Sequence, residues 1–145
     1  MALSRWITVV VLATILSACE EKPPPDEPLG AGSPGLTGTV WVLEGLVQGG
    51  SVSDAAGERA TLELFSDGSM LGSTGCRALS GRYTIAGVEL TMAELSAHGD
   101  CPVELRGQDA AVVRVLDDDF RVEVDDEILT VTSTGSEGLA YRAAP

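Results

Sequence analysis

Gly72-Ser-Thr-Gly-Cys-Arg-Ala-Leu-Ser-Gly-Arg-Tyr83 is the stretch on which the reading of this chain turns. Its three glycines, Gly72, Gly75 and Gly81, mark a backbone that bends or passes close to another strand, because only glycine takes φ > 0 without steric cost. Cys76 stands in the middle of the bend, and Tyr83 opens the next strand-like run. A second cysteine, Cys101, follows 25 residues later, directly before Pro102. The expectation is a small β-rich module folded around this turn and stapled between the two thiols.

The flanking sequence fits that picture. Upstream, Thr39-Val-Trp-Val-Leu-Glu-Gly45 has the β-branched and aromatic spacing of a strand, with Trp41 as a core anchor. Residues 48–57 read as a Gly/Ser loop. Ala60–Phe65 alternates and sets Leu62 and Leu64 on one face, and Ser66-Asp67-Gly68-Ser69 carries the Asp-Gly signature of a hairpin turn. Met70–Ser73 is the return strand.

Downstream, Arg82–Ile85 and Val88–Met92 read as two strands, the second placing Val88, Leu90 and Met92 inward. Residues 93–100 read as irregular and contain His98, the only histidine. Pro102 suits a helix start, and Val103–Leu116 reads as the single helix. Leu105, Val112 and Leu116 lie near one stripe, with Gln108, Ala111 and Val115 beside it. Three further strands follow, Phe120–Val124, Ile128–Thr132 (with Leu129) and Gly138–Arg142. About seven or eight short strands with one helix predict a mainly β (α+β) domain, a curved antiparallel sheet or small barrel covered by that helix. The expected core anchors are Trp41, Leu62, Leu64, Leu90, Leu116 and Leu129.

Ahead of the domain, residues 1–18 read as an export signal. Arg5 is the positive end, and the apolar run from Trp6 to Leu16 is shorter than the ~20 residues a bilayer span requires. Leu16-Ser17-Ala18-Cys19 resembles the bacterial lipobox, in which the cysteine thiol is diacylated and becomes the mature N-terminus. Membrane lipid, held through acylated (palmitate-type) Cys19, is then the first expected partner, and the bacterial cell envelope the expected location, with inner and outer membrane both open. Residues 19–37, rich in proline and glycine, read as a disordered linker, leaving 38–145 as the folded domain.

Composition excludes several functions. With 9 Lys+Arg against 22 Asp+Glu the formal net charge is -13, so no nucleic acid is expected as a partner, since phosphate binding requires a basic face. The acidic excess reads as a solvated surface, and a monomer is expected.

Candidate chemistry is sparse. With Cys19 acylated, Cys76 and Cys101 form an even pair, and an exported protein can oxidise them to a disulfide. Free thiols and a metal site are the alternatives to that bridge. Two cysteines and one histidine without clustered spacing give zinc little support, and no metal or cofactor is expected. His98 and Cys101 can be drawn as a thiol-enzyme pair, but a solvated loop histidine is the simpler reading, so no catalytic residue is assigned. The acidic runs 117–119 and 125–127 lack the alternation of a calcium loop.

Taken in order, Trp41, Leu62/Leu64, Gly72, Gly75, Cys76, Gly81, Tyr83, Cys101, Leu116, Leu129 and Val131 resemble the pattern of the META domain family, the HslJ-like heat-shock lipoproteins. Arg77 stands where that pattern usually has Asn, and Leu64 where it has Phe. The resemblance implies a cracked β-barrel and a binding or structural module in stress or envelope maintenance, with an envelope protein or peptide as partner and a peptide, strand edge or lipid tail taken up in a cleft beneath the helix. A protein inhibitor presenting Ser96–Pro102 is the alternative, and the Cys101/His98 enzyme the least favoured.

Overall fold

A computed structural model of the chain describes residues 35–57 and 59–145. The export signal, Cys19 and all but the last three residues of the expected linker therefore lie outside the described residues.

The domain is a closed antiparallel barrel of eight strands with one helical segment. The chain runs β1 (Val40–Gln48), β2 (Ser51–Asp54), β3 (Thr61–Leu64), β4 (Ser69–Ser73), β5 (Ala78–Ala86) and β6 (Glu89–His98). A 3-10 turn, Val103–Leu105, leads directly into α1 (Arg106–Leu116), and β7 (Asp119–Asp125), β8 (Ile128–Ser133) and β9 (Gly138–Ala143) follow. Neighbouring strands pair in the order β1-β3-β4-β5-β6-β7-β8-β9, and β9 returns to β1 through Trp41↔Ala143 to Val47↔Gly138. Closure pairs each of the eight barrel strands with a neighbour on both sides, which limits the exposed sheet edges that invite unwanted pairing.

The ninth strand, β2, stands outside the circle. It pairs with the second half of β1, Gly45↔Asp54 to Gln48↔Ser51, beside the point where β3 has paired with the first half. All four of its residues are exposed. This corrects the loop reading of residues 48–57: no buried face exists there to impose an alternating pattern.

The interior is packed with side chains, as expected for a barrel of this strand number. Trp41, Leu62, Leu64, Leu90, Leu116 and Leu129 are all fully buried. The helix adds Ala111, Val112, Val115 and Leu116 to the same cluster, so its apolar stripe is a structural part of the core. At ~1.5–3 kcal/mol for each large apolar side chain, that face holds the helix down.

Two local readings need correction around β6. The segment 93–100 is not irregular: β6 continues to His98, paired with β5 through Ala78↔His98. The register shifts between Ser80 and Arg82, where Gly81 faces an extra residue in β6, and Glu94 there has φ 57°. The bulge reverses parity, so Leu90 and Met92 point inward before it, and Leu95 and Ala97 after it. The absence of a side chain on Gly81 makes room, since a Cβ there would lie 3.2 Å from Met92 Sδ. Val88, expected inside, sits at the β5–β6 turn and is half exposed. The start of the described chain is also attached to the barrel rather than free of it. Thr37 bridges to Leu64, and the Leu36 carbonyl accepts a hydrogen bond from Trp41 Nε1 at 3.2 Å.

Candidate functional site

The bend quoted first is the junction between barrel and helix. β4 ends at Ser73 and β5 begins at Ala78, so Thr74–Arg77 make the connection. Thr74 and Arg77 close it from both sides: Thr74 N donates to Arg77 O at 3.0 Å, and Arg77 N donates to Thr74 Oγ1 at 3.1 Å. Gly75, at φ 100°, takes the backbone angle that a side chain would oppose. The turn aims Cys76 at Cys101, and the two are joined in a disulfide with Cα atoms 5.1 Å apart.

Helix α1 meets this bend with two polar residues from its first turn, Gln108 and Asp109, both buried. Gln108 Nε2 donates to Thr74 O at 2.9 Å and to Ala56 O at 3.0 Å, while its Oε1 accepts from Ala56 N at 2.7 Å. One side-chain amide thus ties the helix to the β2–β3 connection and to the bend. Asp109 Oδ1 accepts from Thr74 Oγ1 at 2.7 Å and from Arg77 Nε at 2.8 Å, and its Oδ2 takes the second Arg77 nitrogen in a two-point ion pair.

The charges shift accordingly. Hydrogen bonding to the Arg77 guanidinium holds the Asp109 carboxyl below the usual carboxylate range, against the upward push of burial and with help from Thr74. The same contact raises Arg77. Arg77 cannot copy a short Asn at this position; instead it spans the gap to the helix, so the turn is supported by a tertiary ion pair.

Outside the clasp lies an open, mainly polar hollow of about 430 Å³ lined by Arg77, Gly99, Asp100, Cys101, Arg106 and Asp109. A larger, more apolar depression of about 650 Å³ includes Leu36, Val88, Val122 and Val124 among its lining residues. It lies where β7 has run past its short pairing with β6, Glu89↔Arg121 to Thr91↔Asp119. The expected cleft beneath the helix is instead filled, since Val112, Val115 and Leu116 are buried in the core.

The remaining sequence candidates separate. His98 is exposed at the end of β6, and the sulfur of Cys101 is bonded to Cys76, so among the described residues no free thiol stands beside the imidazole. The loop expected over Ser96–Pro102 shrinks to 99–102, because Ser96 and His98 belong to β6. Tyr83 donates from its hydroxyl to Phe65 O at 2.6 Å, tying β5 to the β3–β4 turn. Reading the sequence did not single out Asp109, Gln108 or Thr74 as a site. The available signal was Gln108, a polar residue on an apolar helical stripe, which needs partners if buried.

The META domain family model matches residues 34–145. An NMR structure of a protein from Burkholderia xenovorans is similar over 85% of this chain and 97% of its own, with 20% identity and a TM-score of 0.62. A second NMR structure is similar over 72% of this chain and 87% of its own, with 21% identity and a TM-score of 0.56. At these identities the two structures establish a shared fold. No curated protein matches the sequence.

Proposed function

This chain belongs to the META domain family, and from that premise we propose that it is a lipid-anchored protein of the bacterial cell envelope whose barrel serves in envelope maintenance under stress. Family membership makes the barrel a structural or binding module of the HslJ type. The observation that carries the anchoring is the fate of the cysteines. The chain has three, and Cys76 and Cys101 are bonded to each other. Cys19 is the one left over, and it ends the short apolar N-terminal run at Leu16-Ser17-Ala18. A disulfide also fits an oxidising compartment outside the cytosol. Stable attachment takes more than one acyl chain, each buried methylene contributing ~0.8 kcal/mol.

The module reading rests on rigidity. Its helix is fixed to the barrel by an ion pair, an amide bridge and an apolar face, and the segment leading into it by a covalent bond, so the surface it offers to an envelope protein or peptide is preformed. The test is fractionation of cells producing the full chain and its Cys19→Ala variant. The parent should sediment with membranes and label with a palmitate analogue; the variant should become soluble and unlabelled. Membrane retention of the variant, or an unlabelled parent, would overturn the proposal.

A further inference from the structure

Strand β7 runs beyond its partner β6 and leaves a short open edge. The pairs Glu89↔Arg121 to Thr91↔Asp119 and the bond from Val122 N to Val88 O complete the β6–β7 ladder. Backbone groups alternate sides along an antiparallel strand. Val122 N–H faces β6, so the N–H and C=O of Val124 face the same way, and no described residue pairs with them. Beside this edge lies the depression of about 650 Å³ to which Leu36, Val88, Val122 and Val124 contribute apolar walls. Ile85 and Val88, on either side of the β5–β6 turn, are each about half exposed.

We propose that this edge and depression dock a basic, extended peptide segment of a partner protein. One apolar side chain fills the depression, cationic side chains flank it, and the peptide backbone pairs with Val124. The proposal rests on the reading of the barrel as a binding module, and it names the site. Main-chain pairing at a sheet edge with a pocket for a side chain is a general mode of peptide recognition. Here the edge supplies only one residue's pair of hydrogen bonds, so the pocket and the charges carry most of the affinity.

Charge selects the occupant. Glu123 lines the depression, and Asp125 and Asp126 follow where the edge ends. All three are exposed, and none forms an ion pair among the described residues. Glu127, next in the turn, is already paired with Arg142. Arg121, the cation in the lining, stands opposite Glu89 in the β6–β7 register. A second copy pairing edge to edge would set carboxylates against carboxylates. The chain's own residues 20–34, with four carboxylates and one lysine, meet the same repulsion, as does an anionic lipid surface. A basic strand is attracted instead.

The test is an amide NMR titration of the full chain in non-ionic detergent. The probe is a short blocked peptide in which valine alternates with threonine between terminal arginines. The expected result is saturable shifts of Val88 and residues 122–126. Val88→Ser removes an exposed apolar wall and should weaken binding about tenfold. Glu123→Lys should weaken it about tenfold at low salt and less as salt screens the charge. Replacing the peptide's arginines by glutamates, or methylating its central valine nitrogen, should abolish the shifts. The inference is overturned by no shifts, by shifts confined elsewhere, by equal binding of the glutamate peptide, or by unchanged affinity in either variant. Three results without peptide would assign the depression to another occupant and overturn it too. These are shifts of the same amides on raising protein concentration (a second copy), on Leu29→Ser (the linker), or on adding phosphatidylglycerol to the micelles (lipid). Fractionation of Cys19→Ala decides the anchoring separately, so an anchored chain that binds no peptide overturns this inference alone.

Discussion

Removing the disulfide tests how much the bend depends on its covalent tie. Cys76 and Cys101 are separated by 25 residues. In the chain-entropy description, a loop of that length lowers the entropy of the unfolded chain by about 12 cal/mol/K, or ~3.5 kcal/mol at 25 °C. The loop is not featureless, because it contains the β5–β6 hairpin, whose outermost pair, Ala78↔His98, lies just inside the cysteines. If the unfolded ensemble keeps part of that hairpin, the tie restrains less, so the expected loss lies between about 2 and 3.5 kcal/mol. With an unfolding entropy of ~2.1 cal/mol/K per residue over about 110 residues, this lowers Tm by roughly 9–15 °C. The assay is urea and thermal unfolding of the parent, the phosphine-reduced parent and Cys76→Ala/Cys101→Ala. The reduced parent and the double variant should agree, and both should unfold with a larger m value, because their unfolded chain is less compact. A change under ~0.5 kcal/mol, or an unaltered midpoint on reduction, would refute the claim that the sulfurs hold the bend.

Three further perturbations address neighbouring features. Asp109→Asn removes the charge that Arg77 faces, and should cost about 2 kcal/mol at neutral pH in urea unfolding, with Arg77's partial exposure holding the figure down. Because the folded carboxyl is held below its unfolded value of ~3.9, its contribution is complete above about pH 5 and is lost as pH falls through 4 toward the depressed folded value. Parent and variant stabilities should therefore converge on acidification, and a constant gap would contradict the assignment. Tyr141 is fully buried and its hydroxyl has no hydrogen-bond partner among the described residues. Tyr141→Phe should leave stability unchanged or raise it by up to ~1 kcal/mol, and a loss of more than 1 kcal/mol by calorimetry would show that the oxygen is satisfied. A Cβ on Gly72 would lie 2.5 Å from Thr61 O across the β3–β4 ladder. Gly72→Ala should cost about 1–3 kcal/mol, and a neutral result would show that the two strands can part without loss.

The parts of this fold legible in the sequence are those fixed by local rules. Asp67-Gly68 announces a turn, and it closes β3 onto β4 through Leu64↔Met70. Alternation around Leu62, Leu64 and Leu129 gives strands with one buried face, and the spacing of Leu105, Val112 and Leu116 gives the helix. Reading failed where geometry overrides pattern. Beyond Met92 the bulge moves the apolar positions from even to odd numbers, so a correct strand looks irregular. β2 carries no pattern because it has no buried face. The clasp was hidden for a third reason: Arg77 and Asp109 are 32 residues apart, and each taken alone reads as a solvated charge. Nothing local says that a turn residue and a helix residue share one partly buried contact.

The departure at Arg77 has a structural meaning once its partner is seen. A short side chain at this position could support only its own turn, through Thr74 or the neighbouring backbone. The guanidinium reaches past the turn to Asp109, while Thr74 Oγ1 serves both partners, accepting from Arg77 N and donating to Asp109 Oδ1. Turn and helix are therefore positioned by the same three residues that flank the disulfide. Reduction removes the covalent tie but leaves the ion pair, the Gln108 bridge and the apolar stripe in place. A domain with the usual 5–15 kcal/mol of stability can lose ~3.5 kcal/mol and remain folded. The bond between the two sulfurs therefore reinforces a junction that the other contacts already specify.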